Sequence, residues 1–280
     1  MSLSDGVNCR FGVFAAAENG LGFAIVRRAS LLIVPLAVAV ALCGMALAAT
    51  RVAPHSTCKI TAKHAWISCP HANLAGRNLV RADLRNADLA GANLTGAKLT
   101  EANLGTADLS RATLARARLD GSNLSFANLV GASLTGASLS RTTADGASLS
   151  HADLSGANLL RVNLAGANLV GANLAHANLS LANLAGANLE GADLAGANLD
   201  TASLVGTNLS NANLTRAVLA NATASGAYLI RARLVGADLH DATVMGSDLS
   251  GANLSGANLK NVGWYGTICP NGRKTTTHCG

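Results

Sequence analysis

Leucine recurs at every fifth residue between Leu74 and Leu259, without insertion or deletion, and fills 35 of 38 positions. The three remaining positions hold Ala144, Ala224 and Val244. An α-helix repeats every 3.6 residues and a strand every 2, so neither places residues five apart on one face. The backbone must therefore bend at each repeat if all of these leucines are to share a dry interior.

The neighbours of each leucine follow the same period. Alanine fills the position two residues before the leucine in 32 of 38 repeats, Asn or Asp usually precedes the leucine, and glycine is frequent two residues after it. Glycine at this density disfavours a helix, at about 1 kcal/mol for each residue. It also supplies the positive φ that many tight turns require. We therefore expect leucine and alanine to point inward, and the other positions to face water.

This pattern resembles the pentapeptide-repeat family over Ala72–Leu259, with near-perfect copies such as Gly156-Ala157-Asn158-Leu159 and Gly196-Ala197-Asn198-Leu199. The resemblance implies an all-β fold, a right-handed quadrilateral parallel β-helix in which four repeats form one coil of 20 residues. The 188 residues would then form about nine coils and a rod about 45 Å long, at the spacing of neighbouring strands.

The composition divides the chain into five segments. The first, 1–28, has no repeat; the second, 29–50, is apolar and uncharged; the third, 51–71, is an N-terminal cap; the fourth, 72–262, holds the repeats; and the last, 263–280, is a C-terminal cap.

The apolar segment 29–50 has two interpretations. Arg27-Arg28, the apolar run and Ala46-Leu47-Ala48 form the three parts of a secretory signal with cleavage after Ala48. The segment 1–28 in front of the apolar run is long for the leading region of such a signal. A true translation start near Val26 would explain this length. An uncleaved transmembrane anchor is the alternative, because about 22 apolar residues can span a bilayer. In both cases the repeats are exported, as secreted, periplasmic or membrane-anchored protein.

Four cysteines remain after such a cleavage, and they flank the repeats in two local pairs, Cys58 with Cys69 and Cys269 with Cys279. An even number in this arrangement predicts two disulfides in an oxidising compartment. Free thiols or a metal site are the alternatives. We expect no metal and no cofactor, because Cys-x-x-Cys spacing is absent although four histidines lie nearby: His55, His64, His71 and His278.

The two tryptophans, Trp66 and Trp264, lie one in each cap. Trp264 and Cys269 continue the register of the leucines. We therefore expect each tryptophan to cover one open end of the core, with the adjacent disulfide holding it in place. The segment 264–272 is similar to the closing segment common in exported pentapeptide-repeat proteins.

The charge of the chain is informative only when it is divided. The whole chain carries a formal charge of +6, but 72–262 contains 13 basic and 13 acidic residues. The excess comes from the caps and the leading segment. The pI of 9.3 therefore does not predict a nucleic-acid partner.

One side of the predicted coil departs from the other three. Ala144, Ala224 and Val244 differ by multiples of 20 residues and share this side, on which Gly121 is the single glycine at the turn position. We expect a different turn type there, and a candidate interaction face with a shallow dent at Ala144. A turn difference without function is the alternative. The residues of this face are Arg141, Ala144, Arg161 and Leu181.

A second candidate site is a basic edge. Arg111 shares an edge of the predicted coil with Arg231, as Arg116 does with Arg216. Such spacing fits an extended anionic ligand, for example a cell-envelope polymer. Solvated arginines without a ligand are the alternative. The basic edge comprises Arg111, Arg116, Arg118, Arg216, Tyr228, Arg231 and Arg233.

The pattern predicts a protein that is not an enzyme. A rod filled with leucine and alanine offers no concave site for catalysis, and no nucleophile with a base, metal cluster or phosphate-binding loop stands out. We expect an exported structural or interaction scaffold that binds an envelope component or a protein. The alternative is the cytoplasmic gyrase-binding branch of the family, whose acidic surface mimics DNA. The neutral coil, the exposed arginines and the export segment disfavour that role.

Overall fold

The computed structural model describes residues 67–279. Parallel bridges join residues that are 20 positions apart, from Ser68 with Asp88 to Asp248 with Ile268. A repeat of five residues and an offset of 20 give each coil four sides. The predicted four-sided β-helix is therefore the observed architecture. The segments 1–28 and 29–50 lie outside the described residues.

Every side of the coil repeats the same hydrogen bonds to its neighbours. The N–H of Leu94 donates to the C=O of Thr113 at 2.7 Å, and the N–H of Asn93 donates to the C=O of Ala72 at 2.9 Å. Each coil is thus bonded to the coil before it and to the coil after it. Because these contacts reach only adjacent coils, stability is expected to add up along the rod.

The corner between two sides is a four-residue turn. The N–H of Ala97 donates to the C=O of Leu94 at 2.9 Å, and Gly96, two residues after the leucine, has φ of +63°. We call this position the corner residue. A hydrogen-bonded turn with positive φ at its third residue fits type II.

The prediction of a different turn type beside Ala144 is wrong. Arg141 and Arg161 have φ of +59° and +57°, close to the +62° of Gly136 on another side. The same ladder of hydrogen bonds fixes the turn in every coil. It therefore holds non-glycine residues in the left-handed region despite a local cost of about 1–2 kcal/mol.

The core contains the predicted residues. From Leu84 to Leu249 no leucine of the register is more than 3% exposed. Where a hydroxyl residue replaces the inward alanine, it usually finds a backbone acceptor. Thr142 Oγ1, for example, donates to the C=O of Leu119 at 2.8 Å. Ser122, one coil earlier, is 1% exposed and its hydroxyl has no partner.

The C-terminal cap covers part of the open end. Trp264 is 4% exposed, and it extends the inward row that contains Ala224 and Val244. After it, strands β1 (Thr267–Ile268) and β2 (Lys274–Thr275) pair as an antiparallel hairpin. Trp264 thus covers the core on its own side, whereas the sequence predicts a lid over the whole open end.

A disulfide joins Cys269 to Cys279 across this hairpin, as expected. On the two sides that the hairpin does not reach, Leu254 and Leu259 are only partly buried. The end of the core is therefore closed on two sides and open on two.

The N-terminal cap is described only from Ile67 onward. Cys69 is buried and disulfide-bonded, whereas its predicted partner Cys58 and the predicted lid Trp66 lie outside the described residues. In 67–279 no helix has the length and apolar character needed to span a bilayer.

Candidate binding surfaces at the corners

Corner residues 20 positions apart stack in four rows along the rod. Row A runs from 81 to 261, row B from 86 to 266, row C from 71 to 251, and row D from 76 to 256. The flat side between two neighbouring rows takes both letters, so side CD lies between rows C and D. Each row is an outer edge of the rod, so its side chains are the ones that a partner meets first.

Row A brings together most of the candidate interaction face. Arg141, Arg161 and Leu181 occupy consecutive corners, all exposed, and Leu181 is 44% exposed. The predicted dent at Ala144 is wrong, because Ala144 is 1% exposed and points into the core. A smaller side chain at this position therefore changes the core and not the outer surface.

The basic edge occupies rows C and D and the side between them. Arg111 and Arg231 stand in row C, and Arg116 and Arg216 stand in row D, as the register predicted. Arg233 lies on side CD. Two members fall on flanking sides: Arg118 on side DA, and Tyr228, 52% exposed, on side BC.

Corner arginines are mostly without acidic partners. Seven arginines but only two acids, Glu101 and Asp241, occupy corners. Arg81 pairs with Glu101 at 2.6 Å, and the other six corner arginines form no ion pair within the described residues. Those six are Arg111, Arg116, Arg141, Arg161, Arg216 and Arg231.

Most acids lie instead on the flat sides, where they bond to the coil itself. Asp108 Oδ1 accepts hydrogen bonds from the N–H of Ser110 at 2.9 Å and from Nδ2 of Asn128 at 3.0 Å. Such bonds hold the carboxylates against the side. The zero net charge of 72–262 therefore conceals a separation, with most unpaired cations on the edges and most acids on the flat sides.

The pKa values of two side carboxylates reflect this bonding. Partial burial alone would raise the pKa of Asp153, but hydrogen bonds from Ser155, Thr135 and Asn173 outweigh it and lower the pKa. The hydrogen bond with His240 lowers the pKa of Asp238 and raises that of His240. Both carboxylates therefore stay charged at neutral pH.

Ring-bearing corner residues lie over a glycine of the next coil. A Cβ at Gly146 would be 2.5 Å from Cε1 of Phe126, and one at Gly171 would be 2.8 Å from Nδ1 of His151. The rings of His71 and His176 lie over glycines in the same way. Sequence reasoning missed this relationship, although the spacing of 20 between ring and glycine was visible.

One depression opens at row C, with a volume of about 450 Å³. Its lining residues come from three coils: His71, Ala90, Gly91, Ser110, Arg111, Asn128 and Val130. The combination of an unpaired guanidinium, an imidazole and a hydroxyl suits an anionic group. Within 67–279 no group of three His, Cys, Asp or Glu could hold a metal ion.

The family model described as pentapeptide repeats matches this chain in eight copies. The matched residues are 69–105, 107–143, 145–180, 182–221, 212–251 and 225–261. No curated protein matches the chain significantly.

Several solved structures are similar to it. HetL, a pentapeptide repeat protein involved in heterocyst differentiation regulation from the cyanobacterium Nostoc sp. strain PCC 7120, is 37% identical over 71% of this chain and 92% of that chain, with a TM-score of 0.41. Rfr23 from the cyanobacterium Cyanothece 51142 is 35% identical over 36% and 85%, with a TM-score of 0.30. QnrB1, a plasmid-mediated fluoroquinolone resistance protein, is 23% identical over 59% and 85%, with a TM-score of 0.36.

Proposed function

Because this chain belongs to the pentapeptide-repeat family, whose members form right-handed quadrilateral β-helices and are generally non-enzymatic scaffolds, we propose that it is an exported, non-enzymatic scaffold. Its partner is an anionic polymer of the cell envelope, which binds along the corner rows. A protein that carries acidic side chains is the alternative partner for the same arginines.

The separation of charge supports this proposal. A partner that approaches an edge meets arginines, while the acids remain bonded to the sides. Arg111 and Arg231 are six coils apart in row C, which corresponds to about 29 Å along the rod. A guanidinium binds phosphate and carboxylate groups through two parallel hydrogen bonds. An extended polyanion therefore suits these rows better than a compact ligand does.

Export is the second element of the proposal. It rests on the apolar segment 29–50 and its flanking arginines, and the Cys269–Cys279 disulfide supports an oxidising compartment. N-terminal sequencing of the natural protein tests this element. A mature N-terminus at Ala49, with Cys269 and Cys279 oxidised, is the expected result; an intact leader in reduced cytosolic protein contradicts it.

Sedimentation with isolated cell envelope tests the binding. One variant changes four corner arginines to glutamine: Arg111, Arg116, Arg216 and Arg231. Its control changes four exposed cations that are not at corners and form no ion pair within the described residues: Arg77, Lys98, Lys260 and Arg273. Both variants lose the same net charge, so the comparison isolates position.

We expect the corner variant to lose at least tenfold in bound fraction, and the control to stay within twofold of the unchanged protein. Binding should also weaken as the salt concentration rises, because dissolved ions screen the attraction between exposed charges. Unchanged sedimentation of the corner variant would refute binding through rows C and D. The pair Arg141→Ala and Arg161→Ala tests row A in the same assay.

A further inference from the structure

One corner arrangement occurs twice on the rod: a histidine, a glycine 20 residues later, and an arginine 20 residues after the glycine. The first set is His71, Gly91 and Arg111 in row C, and the second is His176, Gly196 and Arg216 in row D. We propose that each set forms a notch that binds one oxyanion, a phosphate or carboxylate group. This inference rests on the proposed function and names where the polymer's charged groups are held.

The residues that precede these corners also correspond. Alanine precedes each glycine, a hydroxyl residue precedes each arginine, and valine precedes the glycine one coil further on. The first set of neighbours is Ala90, Ser110 and Val130, and the second is Ala195, Thr215 and Val235. Each residue of the second set lies 105 positions after its counterpart in the first set. A depression of about 450 Å³ is present at the first notch.

The glycine lets the imidazole lie against the coil. Nδ1 and Cε1 of His176 would be 2.7 and 2.9 Å from a Cβ at Gly196, and a Cβ at Gly91 would overlap the ring of His71 in the same way. Because neither glycine has a side chain, the imidazole itself occupies this corner, and no other side chain stands between the histidine and the arginine. An anionic group can therefore approach the imidazole and the guanidinium at the same edge.

The two arginines are available to such a group. Arg111 and Arg216 are exposed, and neither forms an ion pair or a side-chain hydrogen bond within the described residues. Their Cγ atoms would lie 3.8 and 3.6 Å from a Cβ at Gly131 and Gly236. The side-chain stems thus rest against the next coil, while the guanidinium groups remain in water.

Each notch has a carboxylate nearby that is already engaged. Beside the first notch, Asp108 accepts from Ser110 and Asn128. Beside the second, Asp193 accepts from the N–H of Ala195 at 3.0 Å and from Nδ2 of Asn213 at 2.8 Å. These bonds hold the carboxylates on the flat sides, so neither one pairs with the arginine at the corner.

The spacing of the notches fits one polymer. A separation of 105 residues equals five coils and one side, so the notches stand on neighbouring edges about 24 Å apart along the axis. A chain that crosses side CD can reach both. Two linked weak contacts then give an apparent affinity well above that of either one alone.

Calorimetric titration with two probes tests the inference on the purified full chain. Inorganic polyphosphate supplies phosphate groups and polygalacturonate supplies carboxylates, so the stronger binder identifies the source of the oxyanion. Arg111→Gln and Arg216→Gln should each weaken binding at least fivefold. Arg116→Gln is the comparison within the basic edge, because this corner arginine follows Gly96 and Gly76 and has no histidine beneath it. Lys98→Gln is the control, because this exposed cation lies on a flat side and lines neither notch.

We expect Lys98→Gln to stay within twofold of the unchanged protein, and Arg116→Gln to weaken binding less than half as much as Arg111→Gln does. His71→Ala should weaken binding about threefold. Circular dichroism confirms that each variant is folded. Equal losses for Arg116→Gln and Arg111→Gln would overturn the notches but leave the basic edges intact. Failure of the proposed function is a different result, since the fourfold corner variant would then still sediment with the envelope.

Discussion

The ring of Phe126 lies over the backbone of Gly146, one coil further along row B, in the space that a side chain at Gly146 would need. The same relation links His151 with Gly171. Corner side chains thus lean toward the C-terminus and rest on the next coil. The choice of residue at one corner therefore restricts the choice 20 residues later.

Gly146→Ala should destabilise the rod more than Gly136→Ala does. Both glycines have φ of +62°, but a Cβ at Gly136 would meet nothing within 4 Å. The two variants share the cost of positive φ, about 1–2 kcal/mol, and displacing the exposed Phe126 ring from its preferred position adds about 0.5–1.5 kcal/mol. Urea denaturation measures the difference. Adding Phe126→Ala should remove the excess; a persistent excess would show that the ring is not its cause.

Ser122→Ala should stabilise the protein by about 1 kcal/mol, because a buried hydroxyl without a partner is costly. Thr142→Val, one coil further along, should destabilise it by a similar amount of about 1 kcal/mol, because it removes the bond to Leu119. Denaturant midpoints compare the two. The same sign for both variants would contradict the difference in bonding.

Cys279→Ser should loosen the C-terminal end and promote end-to-end association. The disulfide closes a loop with a sequence separation of 10, for which about 2–3 kcal/mol is expected. Hydrogen exchange should accelerate near Leu249 and stay unchanged near Leu154, because coils contact only their neighbours. Size-exclusion chromatography reports the association. Uniform exchange along the rod, or no larger species, would contradict this role of the cap.

The pair of Asp238 and His240 should contribute to stability only within a pH window. The raised pKa of His240 gives a contribution that is present below the ordinary value of 6.5 and is lost as pH rises through the raised pKa. The lowered pKa of Asp238 gives one that is present above 3.8 and is lost as pH falls through the lowered pKa. Titration of the His240 ring by NMR tests this, since Asp238→Asn should lower its pKa.

The core was predictable because its cause is local. Leucine at every fifth position leaves a chain few ways to bury all of them, and Leu84 and Leu249 are inside as expected. The turn type at Arg141 was not predictable from the residue alone. Arginine disfavours positive φ, whereas the ladder of hydrogen bonds between coils imposes it. A single position could not reveal that the neighbouring coils decide its conformation.

The sequence predicted which candidate-site residues share a row, but not which of them form ion pairs. The spacing, together with the four-sided coil that the family resemblance implies, placed Arg111 with Arg231 on one edge. Whether these arginines have acidic partners depends on where the acids bond, and Asp108 bonds to Ser110 and Asn128 of its own side. The rings over glycine were missed because they relate residues 20 positions apart in neighbouring coils, whereas the five-residue pattern relates neighbours along the chain.

The constant offset of 20 residues also ties the length of the chain to the direction in which each residue faces. Duplicating 20 residues would add one storey of about 4.8 Å and leave every row in line. Inserting five residues between Arg111 and Arg216 would instead rotate all later coils by a quarter turn. During evolution, the length of such a rod and the direction in which its later residues face can therefore change separately. Whole coils of 20 residues change the length, and single repeats of five change the direction.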